Sequence, residues 1–223
     1  MSLKPIKIYG VFGPNASRVI MILQELGLAW EDLGVTITDV KKTRYLAVNP
    51  NGRLPAIYDP NTDLTLWESG AIIEYLVETY DKNNKISFPK GSNEAYMCKQ
   101  WLYFQVSGQG PYYGQAVWFT KYHPEKVPSA VERYVKEINR VTGVLEIALS
   151  AAKKRGSDDP YLVGDKLTFA DIAFYSWQWT IVFALGNDVI DYAAAPTVKA
   201  WFEMIGERAS IKKAMEVAKN TRE

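Results

Sequence analysis

Three short stretches in the first third of the chain carry residue types that can bind charged or polar groups. Glu68-Ser69 stand where a helix is expected to begin. Backbone N–H groups and the positive dipole end suit a carboxylate there, the serine hydroxyl adds a donor, and Glu68 can pair with an ammonium. From this dipeptide alone, an N-cap with its acidic first turn is the favoured reading. Asn15, in Gly13-Pro14-Asn15-Ala16, lies just before the first expected helix. Its amide can donate to an anionic atom in the field of that helix, or cap the helix, and the two roles are compatible. Leu54-Pro55 precedes a short strand. Since only about 5–6% of X-Pro bonds are cis, an ordinary trans turn is the default there.

Other chemistries are closed off by composition. The single cysteine, Cys98, rules out a disulfide framework, a cysteine-based zinc site and any C-x-x-C redox pair, and the single histidine, His123, weakens every metal-centre proposal, so no metal is expected. Cys98 reads as a small buried residue and His123 as a loop residue. With 26 Lys+Arg against 25 Asp+Glu, the net charge of +1 offers no field to hold a polyanion. Nucleic acid is not an expected partner. The start, MSLKPIKIYG, has no apolar signal core and no run is long enough to span a membrane, so a cytoplasmic address is expected.

The elements that must position these residues follow from periodicity. Ile6 to Tyr9 reads as a strand, Ala16 to Leu26 as a helix stopped by Gly27, and Trp30 to Ile37 as a second strand. A short helix over 43–48 precedes the Asn49-Pro50-Asn51-Gly52 break. Ala56 to Tyr58 and Leu64 to Trp67 pair as a hairpin, and a helix with Ile72, Ile73, Leu76 and Val77 on one stripe runs to Tyr80. The order βαβ then ββα is that of a thioredoxin-like sheet. Residues 82–92 read as a linker between an α/β domain over 1–81 and an all-α bundle over 93–223. Helical patterns there cover about 93–121, 128–154, 169–185, 197–207 and 210–219. Thr168-Phe169-Ala170-Asp171 matches a capping box at the start of one of them.

NPNGRLPAI, WESGAIIEYL and YLVGDKLTFADIAF resemble the signatures of the glutathione transferases. QWLYFQVSGQGPYYGQ and SAVERYVKEINRV narrow the resemblance to the class containing the fungal nitrogen-catabolite regulator and related bacterial nu-class enzymes. The regulator's long Asn/Gln-rich extension is not in this sequence, so a prion-like or transcriptional role is not expected. The resemblance implies a homodimer that binds glutathione on the N-terminal domain, beside a pocket for a hydrophobic electrophile formed with the helical domain.

Residue by residue, it places the γ-glutamyl end of glutathione on Glu68 and Ser69. A cis Leu54-Pro55 bond would expose the Leu54 backbone to the cysteine amide. Lys42 and Arg53 would face the glycyl carboxylate, with Arg133 reaching across from the partner subunit. Asn15 becomes the catalytic residue that stabilises the thiolate, since a free thiol with pKa about 8.5 is only a few per cent ionised near neutrality. Ser17 and Tyr9 are the hydroxyl alternatives. Related sequences often carry a hydroxyl two residues before the asparagine, where this chain has Gly13. Tyr112, Tyr113 and Trp118 are the candidates for the electrophile pocket, although aromatic residues at helical spacing are more often core. Glutathione-dependent peroxide or mixed-disulfide reduction fits the same site, and so does a non-catalytic glutathione-binding or regulatory protein on the same fold.

Overall fold

β1 (Ile6–Ile8) turns Ile6 and Ile8 into the core and is flanked on both sides. It pairs in parallel with β2 (Trp30–Asp32), Ile6 opposite Trp30, and antiparallel with β3 (Ala56–Asp59), Ile8 opposite Ile57. β4 (Leu64–Trp67) closes the sheet against β3, giving the order β2-β1-β3-β4. The computed structural model describes residues 2–154, 156 and 159–220. The mixed sheet with its helices, followed by a helical domain, is the expected thioredoxin-like plus all-α architecture.

Between β1 and β2 runs α1 (Pro14–Leu26), buried on nearly every side from Ala16 to Leu23. It stops at Gly27, whose φ of 68° is the left-handed conformation glycine adopts cheaply, while the Leu28 N–H donates to the Leu23 carbonyl at 2.9 Å. β2 is shorter than the expected 30–37. The Asp32 carboxylate accepts from the Gly34 N–H at 2.9 Å, and this turn leads the chain away from the sheet. α2 (Thr43–Leu46) and α3 (Ser69–Tyr80) complete the sequence-local part. The stripe Ile72, Ile73, Leu76 and Val77 is buried as expected. At the end of β3, Asp59 accepts from the hydroxyls of Tyr75 at 2.6 Å and Tyr80 at 2.5 Å, so the sheet fixes α3 and with it the start of that helix.

The described residues form two compact units, one of 2–87 with 207–220 and the other Phe88–Gly206. The C-terminal helix, α9 (Ala209–Asn220), thus groups with the α/β part by packing on α1, not with the bundle where sequence order put it. An ion pair marks this contact. Arg208 donates from Nε to Glu25 at 2.9 Å and from Nη2 at 3.2 Å, Ser210 donates to the same carboxylate, and the Lys85 ammonium lies 3.6 Å away.

Burial alone would push the Glu25 carboxyl up, but the bonds from Arg208 and Ser210 and the charges of Arg208 and Lys85 outweigh it and hold it below its ordinary 4.5. A carboxyl lowered in the folded state contributes stability above its unfolded pKa and loses it as pH falls through the folded one. Glu25→Ala is therefore expected to cost about 2 kcal/mol near neutrality, less than a fully buried pair because Arg208 is one-third exposed. Urea midpoints of parent and variant should converge in acid. A gap that persists there would refute the electrostatic account.

The second unit begins with α4 (Asn93–Phe104), capped by the Ser92 hydroxyl accepting from the Ala95 N–H at 3.2 Å. The pattern expected as one helix over 93–121 is continuous but carries two wide π turns, 105–109 and 118–122, around α5 (Gly110–Val117). The first of them lets Pro111, which lacks an N–H, enter at the start of α5. It also holds Gln109 inward, where its amide donates to the Phe174 carbonyl at 3.1 Å. α6 (Pro128–Lys154) and α7 (Phe169–Leu185) have the expected bounds, and α8 (Pro196–Gly206) begins one residue early. α7 is buried almost all round over its first half, as befits the central helix of the unit.

Candidate functional site

The loop before β3 is built to hold one carbonyl. The Asn49 side chain, 2% exposed, accepts from the Asn51 N–H at 3.0 Å and donates to the Arg53 carbonyl at 2.7 Å, and the Tyr45 hydroxyl donates to that same oxygen at 2.7 Å. Gly52, at φ 60°, passes so close to the segment before α2 that a Cβ would lie 2.8 Å from the Val40 carbonyl oxygen. The Leu54–Pro55 bond that follows is cis, as the resemblance implies. Leu54 packs with Tyr9, Val35 and Val48 on a small core of Val40, Tyr45 and Ala56.

This loop meets the start of α3. Asn51 donates to a Glu68 carboxylate oxygen at 3.4 Å, and Glu68 occupies the cap position with φ 70°, an unusual value for a residue with a Cβ. Glu68 itself is exposed, whereas Ser69 is 4% exposed and its hydroxyl accepts from Nη2 of Arg18 at 2.5 Å. The plain N-cap reading of Glu68 is thus half right: it sits at the cap without a side-chain cap bond.

At the start of α1 the cap is Gly13, with φ 85°, Pro14 is the first helical residue, and Asn15 is the second. The capping role weighed for Asn15 belongs to Gly13 instead. Asn15 stands in the first turn, where N–H groups lack partners within the helix and the dipole is positive. Ser17, the hydroxyl alternative, is buried and donates to the Gly13 carbonyl at 3.0 Å, so its proton is already committed. Tyr9, the other alternative, is half-buried with its ring edge-on to Tyr45.

In the first unit Asn15 stands at the start of α1, Leu54 and Pro55 form the cis turn, and Glu68 and Ser69 start α3, with the Arg18–Ser69 and Asn51–Glu68 bonds tying α1 and the preceding loop to that helix. Arg53 is exposed on that turn, while Lys42 caps α2 and is engaged with Asp39 at 2.6 Å. The remaining candidates lie on the second unit. Arg133 is exposed on α6, Trp118 is 47% exposed, and the Tyr112 ring faces Tyr134 at 6.4 Å. Tyr113 is fully buried, its hydroxyl bonded to Gln178 at 3.1 Å and Thr142 at 3.2 Å. It is a core residue and reaches no surface, which removes it from the pocket candidates. Asn49 and Asn51 are visible in the sequence only as part of a chain break, Tyr45 gives no signal there, and Arg18 shows only as a charge inside an otherwise apolar helical run.

Comparison with known proteins fits this geometry. Residues 9–84 match the family described as glutathione S-transferase, N-terminal domain, and residues 111–209 match glutathione S-transferase, C-terminal domain. The glutathione S-transferase-like protein tpcF of Aspergillus fumigatus is 57% identical over 219 residues, covering 96% of each chain. The chain belongs to the glutathione S-transferase family. Within the family it is of the Ure2 type. The glutathione transferase URE2P6 of Phanerochaete chrysosporium, solved in complex with oxidized glutathione, superposes with a TM-score of 0.88 at 46% identity over 98% of both chains. The transcriptional regulator URE2 of Saccharomyces cerevisiae is 34% identical over 95% of this chain and 69% of its own length. For a family whose chemistry concerns a thiol, the state of the protein's own thiol matters. Burial pushes Cys98 up to about 12, so it offers no reactive thiolate of its own.

Proposed function

We propose that this transferase-family chain binds glutathione on its first unit and stabilises the thiolate with Asn15 for attack on hydrophobic electrophiles, as a cytoplasmic homodimer. The observation that carries the reading is the meeting of the Glu68–Ser69 helix start with the Leu54–Pro55 turn, one unit offering a carboxylate seat, an ammonium partner and an edge of backbone. In this reading Glu68 takes the γ-glutamyl ammonium, Ser69 and the α3 N–H groups take its carboxylate, and Leu54 pairs with the cysteine amide. Arg53 and Lys42, together with Arg133 of the partner subunit, neutralise the glycyl carboxylate. Tyr112 and Trp118 supply aromatic surface for the electrophile.

The test is isothermal titration of reduced and oxidised glutathione, followed by turnover with an aryl halide, a hydroperoxide and a mixed disulfide. Binding with turnover supports the enzyme and selects its reaction, and absence of binding to both forms rejects the proposal. Glu68→Gln, which keeps shape and removes charge, is expected to weaken glutathione about 10-fold, the worth of a charge-assisted hydrogen bond. An unchanged affinity would move the ammonium elsewhere. A second reading, a binding protein without catalysis, is favoured by Gly13, which puts no hydroxyl beside Asn15. It predicts binding without turnover in all three assays.

A further inference from the structure

Arg18 is the most conspicuous polar group in the first unit. It lies on α1 one turn after Asn15, is 3% exposed, and donates from Nη2 to the Ser69 hydroxyl at 2.5 Å. Its other two nitrogens, Nε and Nη1, are buried and find no hydrogen-bond partner among the described residues. A guanidinium carries five N–H donors, and a buried charge left this short of acceptors is costly. Burial drags Arg18 down to about 9 from its ordinary 12.5, with the negative charge of Glu68 only partly opposing. Neither effect serves the fold: an apolar side chain of the same length would fill the space without the desolvation penalty.

What the arrangement does serve is a carboxylate at the start of α3. A serine hydroxyl has one proton and two lone pairs. With Arg18 donating into the oxygen of Ser69, the hydroxyl proton is left for an acceptor beyond it, and the donor is polarised by a charge behind it. We propose that Arg18 is a positioning residue for the γ-glutamyl carboxylate of glutathione, acting through Ser69 and by its buried positive charge without touching the ligand. This rests on the glutathione reading given above.

The experiment compares two ligands by isothermal titration into the full chain: glutathione, and γ-aminobutyryl-cysteinylglycine, which keeps the amine, thiol and glycyl carboxylate but lacks the γ-glutamyl carboxylate. Arg18→Met is expected to weaken glutathione about 10-fold or more and the carboxylate-free peptide by less than about 2-fold. Arg18→Lys, which keeps a charge at the same helix position, is expected to show a smaller loss with the same selectivity, and it decides the matter if the methionine variant does not fold. In the Arg18→Met/Ser69→Ala double variant the losses should fall short of the sum of the singles, since both act on one carboxylate. Equal losses for the two peptides, with the parent binding glutathione normally, would mean that Arg18 merely supports the fold and would overturn this role while leaving the glutathione reading intact. A parent chain that binds no glutathione would overturn both.

Discussion

Asn15→Ala is expected to lower turnover about 100-fold while changing glutathione affinity by no more than about 3-fold, because a donor that meets charge only on the reacting atom contributes to the transition state far more than to binding. Removing one preorganised donor from a developing oxyanion costs about 100–1000-fold. Sulfur is a softer acceptor, so the lower figure is the expectation. The placement of Asn15 as the second residue of α1 sharpens the test, since Gly13 holds the cap and loss of a cap is not among the effects of the substitution. The Ser17 hydroxyl is turned back to the Gly13 carbonyl and gives no substitute proton. The pH–rate profile separates the roles. If Asn15 stabilises the thiolate, the apparent pKa of the bound thiol should rise in Asn15→Ala toward the free value of about 8.5. Asn15→Asp, which replaces the donor by an anion, should be slower than the alanine variant. A profile that does not move, with turnover intact, would assign thiol activation to some other group.

The proposed site is read from the sequence because its parts are local. A helix start with an acid and a serine, a proline after a turn and an asparagine before a helix are each contained in a few residues, and the structure places those of the first unit around three neighbouring elements. The long helices α6 and α7 were equally legible, since 3.6-residue periodicity accumulates over 27 and 17 residues. What escaped depends on distant partners. The bond from Arg208 to Glu25 spans 183 positions, so nothing in the pattern of α9 tells which unit it joins. Arg18 faces Ser69 from 51 positions away, and a charged residue in an apolar helix does not declare its partner. Tyr113 shows the limit within one helix. It shares a glycine- and aromatic-rich stretch with Tyr112 and Trp118, and the wide turns at 105–109 and 118–122 break the regular spacing that would have told the inner face from the outer.

Asp171→Ala is expected to be the most destabilising single change proposed, costing about 3–5 kcal/mol, because it strips the acceptor from several buried donors at once. One carboxylate oxygen accepts from the Thr168 N–H at 3.0 Å and the Thr168 hydroxyl at 2.8 Å, closing the capping box of α7. The other accepts from the Leu162 N–H at 3.0 Å and the indole N–H of Trp201 at 3.1 Å, tying the preceding loop and α8 to the same point. Asp171, Thr168 and Trp201 are all fully buried, so water does not replace what is lost. Asp171→Asn tests the account more closely than alanine does. With its oxygen toward Leu162 and Trp201, the amide turns its NH2 to the Thr168 hydroxyl, which can accept, and to the Thr168 N–H, which cannot, so the variant should lose a part of what alanine loses despite its matched shape. Thr168→Ala, which removes one hydroxyl, should cost only about 1 kcal/mol. Urea midpoints measure all three, and an Asp171→Asn midpoint equal to that of the parent would refute the acceptor-only role. The surface pair Lys136–Glu132 provides the contrast: its separation is 2.6 Å, shorter than any bond to Asp171, yet both side chains are exposed and Lys136→Ala should leave the midpoint where it was. What sets the size of each effect is the absence of water around Asp171, since by distance alone the surface pair would rank first.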